Sequence, residues 1–93
     1  MSHIALDTVV SRKTGQITAD MDGETVMMSM DTSRYYNLGK TGSVIWSLIE
    51  SPTPVGEVIL NLMNEYDVPR QQCEAEVIAF LEELQKEKLI ETA

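Results

Sequence analysis

The hydrophobic pattern of the sequence changes its period near Gly39, and this change limits the folds that the chain can adopt. Before Gly39 apolar and polar residues alternate, most clearly over residues 24–30, which is the pattern of a half-buried strand. After Gly39 apolar residues recur at intervals of three and four, which is the pattern of amphipathic helices. Strands followed by helices in one chain of 93 residues predict a single α+β domain.

The first part of the pattern predicts a three-stranded antiparallel β-meander over residues 16–38. Asp22-Gly23 is a two-residue hairpin signal, because glycine tolerates the positive φ that a type I′ turn requires. This turn separates a strand at residues 16–21 from a strand at residues 24–30, and residues 34–38 form the third strand. Residues 1–15 are an N-terminal extension with a short extended piece.

Residues 39–93 predict three helices. The first begins in the cap-rich segment 39–43 and runs to about Glu50. The second starts near Pro54, with Thr53 as its N-cap and the proline in the first helical position. The short turn between the second and third helices is compatible with a helix-turn-helix.

The third helix, over residues 69–88, carries two kinds of apolar position. At 100° per residue, one narrow arc forms the core face, and Ile78 lies well off it. An apolar residue displaced from the core face indicates either a second contact surface or a single exposed isoleucine. The residues of the arc are Cys73, Val77, Phe80 and Leu84, with Leu81 beside them.

The charge balance excludes several partners. The chain has 7 basic and 15 acidic residues and a net charge of −8, so it lacks the cations that neutralise nucleic-acid phosphates or meet an anionic membrane. The third helix is itself acidic, which argues against a recognition helix in DNA. The first residues lack the features of a signal peptide, and no apolar run approaches the ~18 residues of a membrane span. We expect a cytoplasmic protein.

The sequence offers few groups for catalysis. His3 is the only histidine, and Cys73, the only cysteine, lies on the predicted core face, so neither a Cys/His zinc site nor an intrachain disulfide can form. Gly39-Lys40-Thr41 lacks the preceding glycine of a phosphate-binding loop. We therefore expect no catalytic residue, no metal and no cofactor, and we predict that the chain is not an enzyme.

The third strand is the most promising binding element. Residues 34–38 come last in the meander and are therefore expected at a sheet edge, where backbone donors and acceptors lack partners. A peptide can add to such an edge as a further strand and place alternate side chains in a groove beside the sheet. Tyr35 and Tyr36 point to opposite faces of a regular strand, and the sequence does not say which of them faces inward.

Three segments in a fixed order carry a resemblance to a known family. Residues 26–38 read VMMSMDTSRYYNL, residues 41–46 read TGSVIW, and residues 77–84 read VIAFLEEL. The ordered set resembles the PqqD-like family, and its Arg-Tyr-Tyr form is similar to the stand-alone members found in lasso-peptide biosynthesis. The resemblance covers about residues 16–90.

The resemblance implies a recognition element with a winged helix-turn-helix-like fold, which binds the leader segment of a ribosomally made precursor peptide as a strand beside the third strand. It also implies a separate, transglutaminase-like leader peptidase as second partner. Glu74 and Glu82 are hypothesised to meet basic leader residues. The residues that the resemblance implies for peptide binding are Arg34, Tyr35, Tyr36, Asn37, Leu38, Glu74, Val77, Ile78, Phe80, Leu81, Glu82 and Gln85.

Two alternatives remain open at this stage. The chain could be a docking or scaffold subunit of a biosynthetic enzyme that reads no leader of its own. Its free edge strand could also pair with a second copy of the chain to form a homodimer.

Overall fold

The structure is a computed structural model that describes residues 4–13, 16–29 and 33–92. These residues form two antiparallel sheets and three helices, which confirms the α+β class and the meander followed by three helices. In chain order the elements are β1 (Val9–Arg12), β2 (Gln16–Met21), β3 (Glu24–Ser29), β4 (Tyr35–Asn37), α1 (Gly39–Leu48), β5 (Thr53–Pro54), α2 (Val55–Glu65), α3 (Arg70–Lys86) and β6 (Ile90–Thr92).

The predicted meander is the sheet β2-β3-β4. Asp22 and Gly23 both have positive φ, 56° and 81°, as a type I′ hairpin turn requires, and β2 pairs with β3 over its full length. The third strand is Tyr35–Asn37, shorter than the predicted 34–38. Hydrogen bonds from Ser29 N to the carbonyl of residue 34 and from the amide of residue 38 to residue 25 nevertheless extend its pairing over the predicted range. Met30, at the end of the second predicted strand, lies outside the described residues.

The second sheet, in the order β5-β1-β6, was not predicted. β1 is its central strand and pairs antiparallel with β5 and with β6. Both of these neighbours lie in the region for which the sequence predicts helices. Arg12 ties this sheet to α1, because its Nε donates to the carbonyl of Trp46 at 2.8 Å and its guanidinium lies over the Trp46 ring. The pairing of β1 with β6 joins the N-terminal and C-terminal parts of the described region.

The start of α2 corrects the predicted cap. Thr53 and Pro54 belong to β5, and Pro54 is extended at φ −64° and ψ 142°, so the helix begins one residue later at Val55. The Thr53 hydroxyl makes no capping hydrogen bond to α2, and its single proton lies within hydrogen-bonding reach of the carbonyls of Leu48 and Ser51. The pairing of Pro54 with β1 holds this segment in a strand.

A single hydrophobic core lies between the helices and the inner faces of the two sheets. Trp46 is buried as expected, but α3 differs from the prediction: Leu81 is fully buried, whereas Phe80 is only half-buried at the edge of the core. At this edge the Phe80 ring lies beside Gly42 of α1. No helix in the described ranges is long and apolar enough to cross a membrane. The core consists of Ile4, Val10, Met27, Ile45, Trp46, Ile49, Val55, Val58, Ile59, Leu62, Cys73, Val77, Leu81, Leu84, Leu89 and Ile90.

Candidate functional site

β4 offers a free strand edge. It is the last strand of its sheet and, among the residues that the structure describes, pairs only with β3. The hydrogen bonds at positions 34 and 38 direct the backbone groups of the even-numbered residues toward β3. Because backbone groups alternate in direction along an antiparallel strand, those of Tyr35 and Asn37 point to the free edge.

The two tyrosines of β4 lie on opposite faces of the sheet. Tyr36 is opposite the buried Met27 and is half-buried against the core, so it is the tyrosine that faces α3. Tyr35 is opposite Met28 and is 75% exposed on the outer face. The structure thus answers a question that the sequence left open.

Glu87, just past the end of α3, joins this helix to β4. Its Oε1 accepts a hydrogen bond of 2.7 Å from the Tyr36 hydroxyl and lies 3.2 Å from Nη1 of Arg34. The Arg34 guanidinium also lies over the Tyr36 ring, 5.7 Å from its centroid. These contacts hold the start of β4 against the C-terminal end of α3.

At its other end β4 opens onto a cleft between α1 and the Phe80 side of α3. A Cβ atom on Gly42 would lie 3.0 Å from two ring carbons of Phe80 and 3.1 Å from Cβ of Leu38, so the close approach of α1 to Phe80 depends on this glycine. Next to it is a cavity of about 390 Å³, which we call the cleft cavity. It is lined by Leu38, Thr41, Gly42, Ile45, Leu62, Tyr66, Val68, Cys73, Glu76, Val77 and Phe80.

Comparison with known proteins identifies the family. Residues 24–90, which include the free strand edge, Gly42 and all of α3, match the family described as coenzyme PQQ synthesis protein D, PqqD. The chain belongs to the PqqD family. None of the curated proteins matches it.

Two solved structures share the fold of this PqqD-family chain. The first, TbiB1 in complex with the TbiA(beta) leader peptide, is 31% identical, with a TM-score of 0.80 over 87% of this chain and 94% of that chain. The second, a lasso peptide synthetase B1 complexed with the leader peptide, is 20% identical, with a TM-score of 0.78 over 88% and 96%. At that lower identity the second likeness shows the fold alone.

The peptide-binding residues expected from the family resemblance do not all meet at this site. On α3, Val77 and Phe80 line the cleft cavity, whereas Leu81 is fully buried and offers no surface to a ligand. The remaining α3 positions lie roughly 120–160° around the helix axis from Phe80, on the side away from β4. They are Glu74, Ile78, Glu82 and Gln85; Glu74 is paired with Arg70 at 2.7 Å.

Residues that sequence reasoning missed occupy the β4 side of α3. Glu87 follows Phe80 by seven residues, and Glu76 precedes it by four, so all three share one side of the helix. That spacing was a usable signal once Phe80 was known to face β4. Tyr66 and Val68, on the far wall of the cleft cavity, come from the turn between α2 and α3 and carry no comparable signal.

Cys73 lies in the wall of the cleft cavity but is unsuited to nucleophilic chemistry. Burial raises the pKa of its thiol above the ordinary value, and the carboxylates of Glu76 and Glu74 raise this pKa further. The thiol lies 3.9 Å from the carbonyl of Ile59. Cys73 therefore remains a neutral thiol that acts as a small core side chain.

The outer face of the sheet β2-β3-β4 carries a second exposed surface. Strand pairing sets Ile17 opposite Met28, and Met28 opposite Tyr35, so that three apolar side chains cross the sheet in one row. Ile17 is 55% exposed and Met21 is 61% exposed. We call this surface the outer sheet face; it comprises Ile17, Ala19, Met21, Val26, Met28 and Tyr35.

Proposed function

We propose that the chain binds the leader segment of a ribosomally made, lasso-type precursor peptide and presents it to a separate peptidase. The observation that carries this proposal is the free edge of β4 beside an apolar cleft on α3. The similarity to TbiB1, whose structure is a complex with a leader peptide, supports it further. In this proposal the chain is a binding protein without catalytic activity that works in the cytoplasm, where precursor peptides are made.

The leader adds to β4 as a fourth antiparallel or parallel strand. The amide and carbonyl groups of Tyr35 and Asn37 provide two donors and two acceptors for it. Each hydrogen bond contributes about 0.5–1.5 kcal/mol net, and each buried apolar anchor contributes about 1.5–3 kcal/mol. After the entropy cost of binding, these contributions are sufficient for a dissociation constant between about 1 μM and 1 nM.

The cleft cavity receives an anchor side chain of the leader. It lies where β4 ends, and its lining is mostly apolar, with Leu38 and Phe80 nearest to the strand edge. A leader that runs along β4 can therefore place one large side chain in the cavity without leaving the strand. The Glu87 contacts to Arg34 and Tyr36 hold the opposite end of the site.

The outer sheet face is suited to the peptidase. It shares β4 with the leader edge, so a leader strand would extend this face by one strand and add its own outward side chains beside Tyr35. A partner that docks there would contact the protein and its bound peptide together. Exposed methionines such as Met21 adapt to a partner surface, as a transient contact requires.

A proline at position 35 tests strand addition. The Tyr35 amide points to the free edge, so Tyr35→Pro removes a donor for the leader while leaving every β3–β4 hydrogen bond in place. Tyr35→Ala is the matched control, because it removes the same side chain and keeps the amide. We expect fluorescence anisotropy with the labelled cognate leader to give a dissociation constant that is at least about tenfold weaker for the proline variant than for the alanine variant.

Two results would contradict the proposal. Equal affinity of the two variants would exclude strand addition at β4. Flat anisotropy of the wild-type protein up to tens of micromolar, well above the expected upper limit of about 1 μM for the dissociation constant, would exclude leader binding by this chain alone.

A further inference from the structure

The cleft cavity has one charged residue in its lining, Glu76. The other lining side chains are apolar except for Thr41, Tyr66 and the thiol of Cys73. Glu76 is nevertheless an exposed residue, so its carboxylate lies at the mouth of the cavity, where it accepts a hydrogen bond of 3.1 Å from Nε2 of Gln72. It takes part in neither of the two ion pairs found within the described ranges, which involve Arg34 and Arg70.

A carboxylate at the wall of an apolar cavity discriminates between ligands. Because Glu76 is exposed, a purely apolar side chain that fills the cavity leaves the carboxylate in water and gains nothing from it. A side chain with an apolar body and a donor at its tip fills the same space and brings the donor to the mouth of the cavity, where it can bond the carboxylate. Because the acceptor is charged, this bond is stronger than one between neutral groups.

We propose that Glu76 makes the cleft cavity selective for a leader side chain that is apolar along its length and carries a hydrogen-bond donor at its end. Tyrosine, lysine and arginine have this chemistry. The inference rests on the proposed function, since it assigns the anchor of the same leader. The net charge of −8 also favours the approach of a donor or cation over that of an acid.

A double-mutant cycle between the protein and the leader tests the inference. Each tyrosine of the cognate leader is replaced by phenylalanine, which removes only the donor, and each lysine or arginine by norleucine, which removes the donor together with its charge. The peptides are titrated against wild-type protein, Glu76→Gln and the control Glu91→Gln, which makes the same charge change on β6. Circular dichroism checks that the variants are folded.

The expected result is one leader position at which loss of the donor weakens binding about threefold to fivefold to the wild type and to Glu91→Gln, and less than about twofold to Glu76→Gln. A cationic anchor is distinguished from tyrosine by salt, since only the cationic one makes the Glu76-dependent part of the affinity fall with ionic strength.

Two other results would overturn the inference, in distinguishable ways. If wild-type protein binds the leader tightly but no donor is coupled to Glu76, the inference fails and the proposed function stands. If the wild type binds no leader, the proposed function fails and the inference fails with it.

Discussion

Gly42 shows how one residue can set the shape of the site. A methyl group there would meet the Phe80 ring at 3.0 Å, and Phe80 is half-buried beside the cleft cavity, into which its ring can turn. We expect Gly42→Ala to narrow the cavity and weaken leader binding about tenfold, which corresponds to about 1.4 kcal/mol. The higher helix propensity of alanine, worth about 1 kcal/mol, should offset part of the strain, so that stability changes little.

The control for Gly42 is a second helical glycine. A Cβ atom on Gly56 would meet only the carbonyl oxygen of Leu6, at 3.4 Å, in the first turn of α2. Gly56→Ala should therefore leave leader affinity unchanged. Unaltered affinity in Gly42→Ala as well, measured by anisotropy, would show that the cavity does not hold the anchor.

Glu87 is the second residue whose contribution can be measured separately. Glu87→Ala removes the acceptor of Tyr36 and the partner of Arg34, whereas Tyr36→Phe removes only the first of these contacts. We expect losses in the free energy of unfolding of about 1–2 kcal/mol for Glu87→Ala and about 1 kcal/mol for Tyr36→Phe in urea titrations. The double variant should lose less than the sum, and full additivity would show that the bond does not contribute.

At the level of elements, we expect the two sides of α3 to differ in function. Phe80 lines the cleft cavity, whereas Ile78, roughly 160° away around the helix axis, is half-buried against the core. Phe80→Ala should reduce leader affinity about tenfold or more, because the half-buried ring that forms one wall of the cleft cavity is lost. Ile78→Ala, a comparable truncation in the same helix, should bind the leader as the wild type does. If Ile78→Ala weakens leader binding more than Phe80→Ala does, the leader binds on the Ile78 side of α3, as the family resemblance implies.

Helix α3 shows what hydrophobic periodicity can and cannot predict. The 3.6-residue repeat correctly separated Cys73, Val77 and Leu84 as core positions. It could not tell which flank of the helix meets β4, because that depends on how the helix packs against the sheet and α1. The edge strand was predictable from the hairpin that precedes it, whereas its helical partner surface was not.

The short strands were unpredictable for a related reason. β5 and β6 contain two and three residues, which is too few for alternation to be recognised. They become strands because β1 pairs with both of them, and these pairings join residues that are far apart in sequence. Such strands are determined by tertiary contacts and not by local preference.

At the level of the whole molecule, we expect one sheet to bind the leader at its β4 edge and to contact the peptidase through the outer sheet face. The double variant Ile17→Ser and Met28→Ser removes apolar side chains from the outer sheet face, where both residues point away from the core and the cleft cavity. We expect leader affinity to stay within about twofold of the wild-type value, because the edge of β4 is unchanged. Cleavage of the leader-bound precursor by its peptidase should slow at least about tenfold, because the docking contact is lost.

The matched control for that double variant lies on α2. Leu60 is 51% exposed, similar to Ile17, but it is not part of the outer sheet face. Leu60→Ser should therefore change neither leader affinity nor the rate of cleavage. If cleavage slows equally in all variants, loss of exposed apolar surface in general is responsible, and the peptidase docks elsewhere. If it slows only when the outer sheet face is altered, leader capture belongs to the edge of this small sheet and peptidase docking to its outer face.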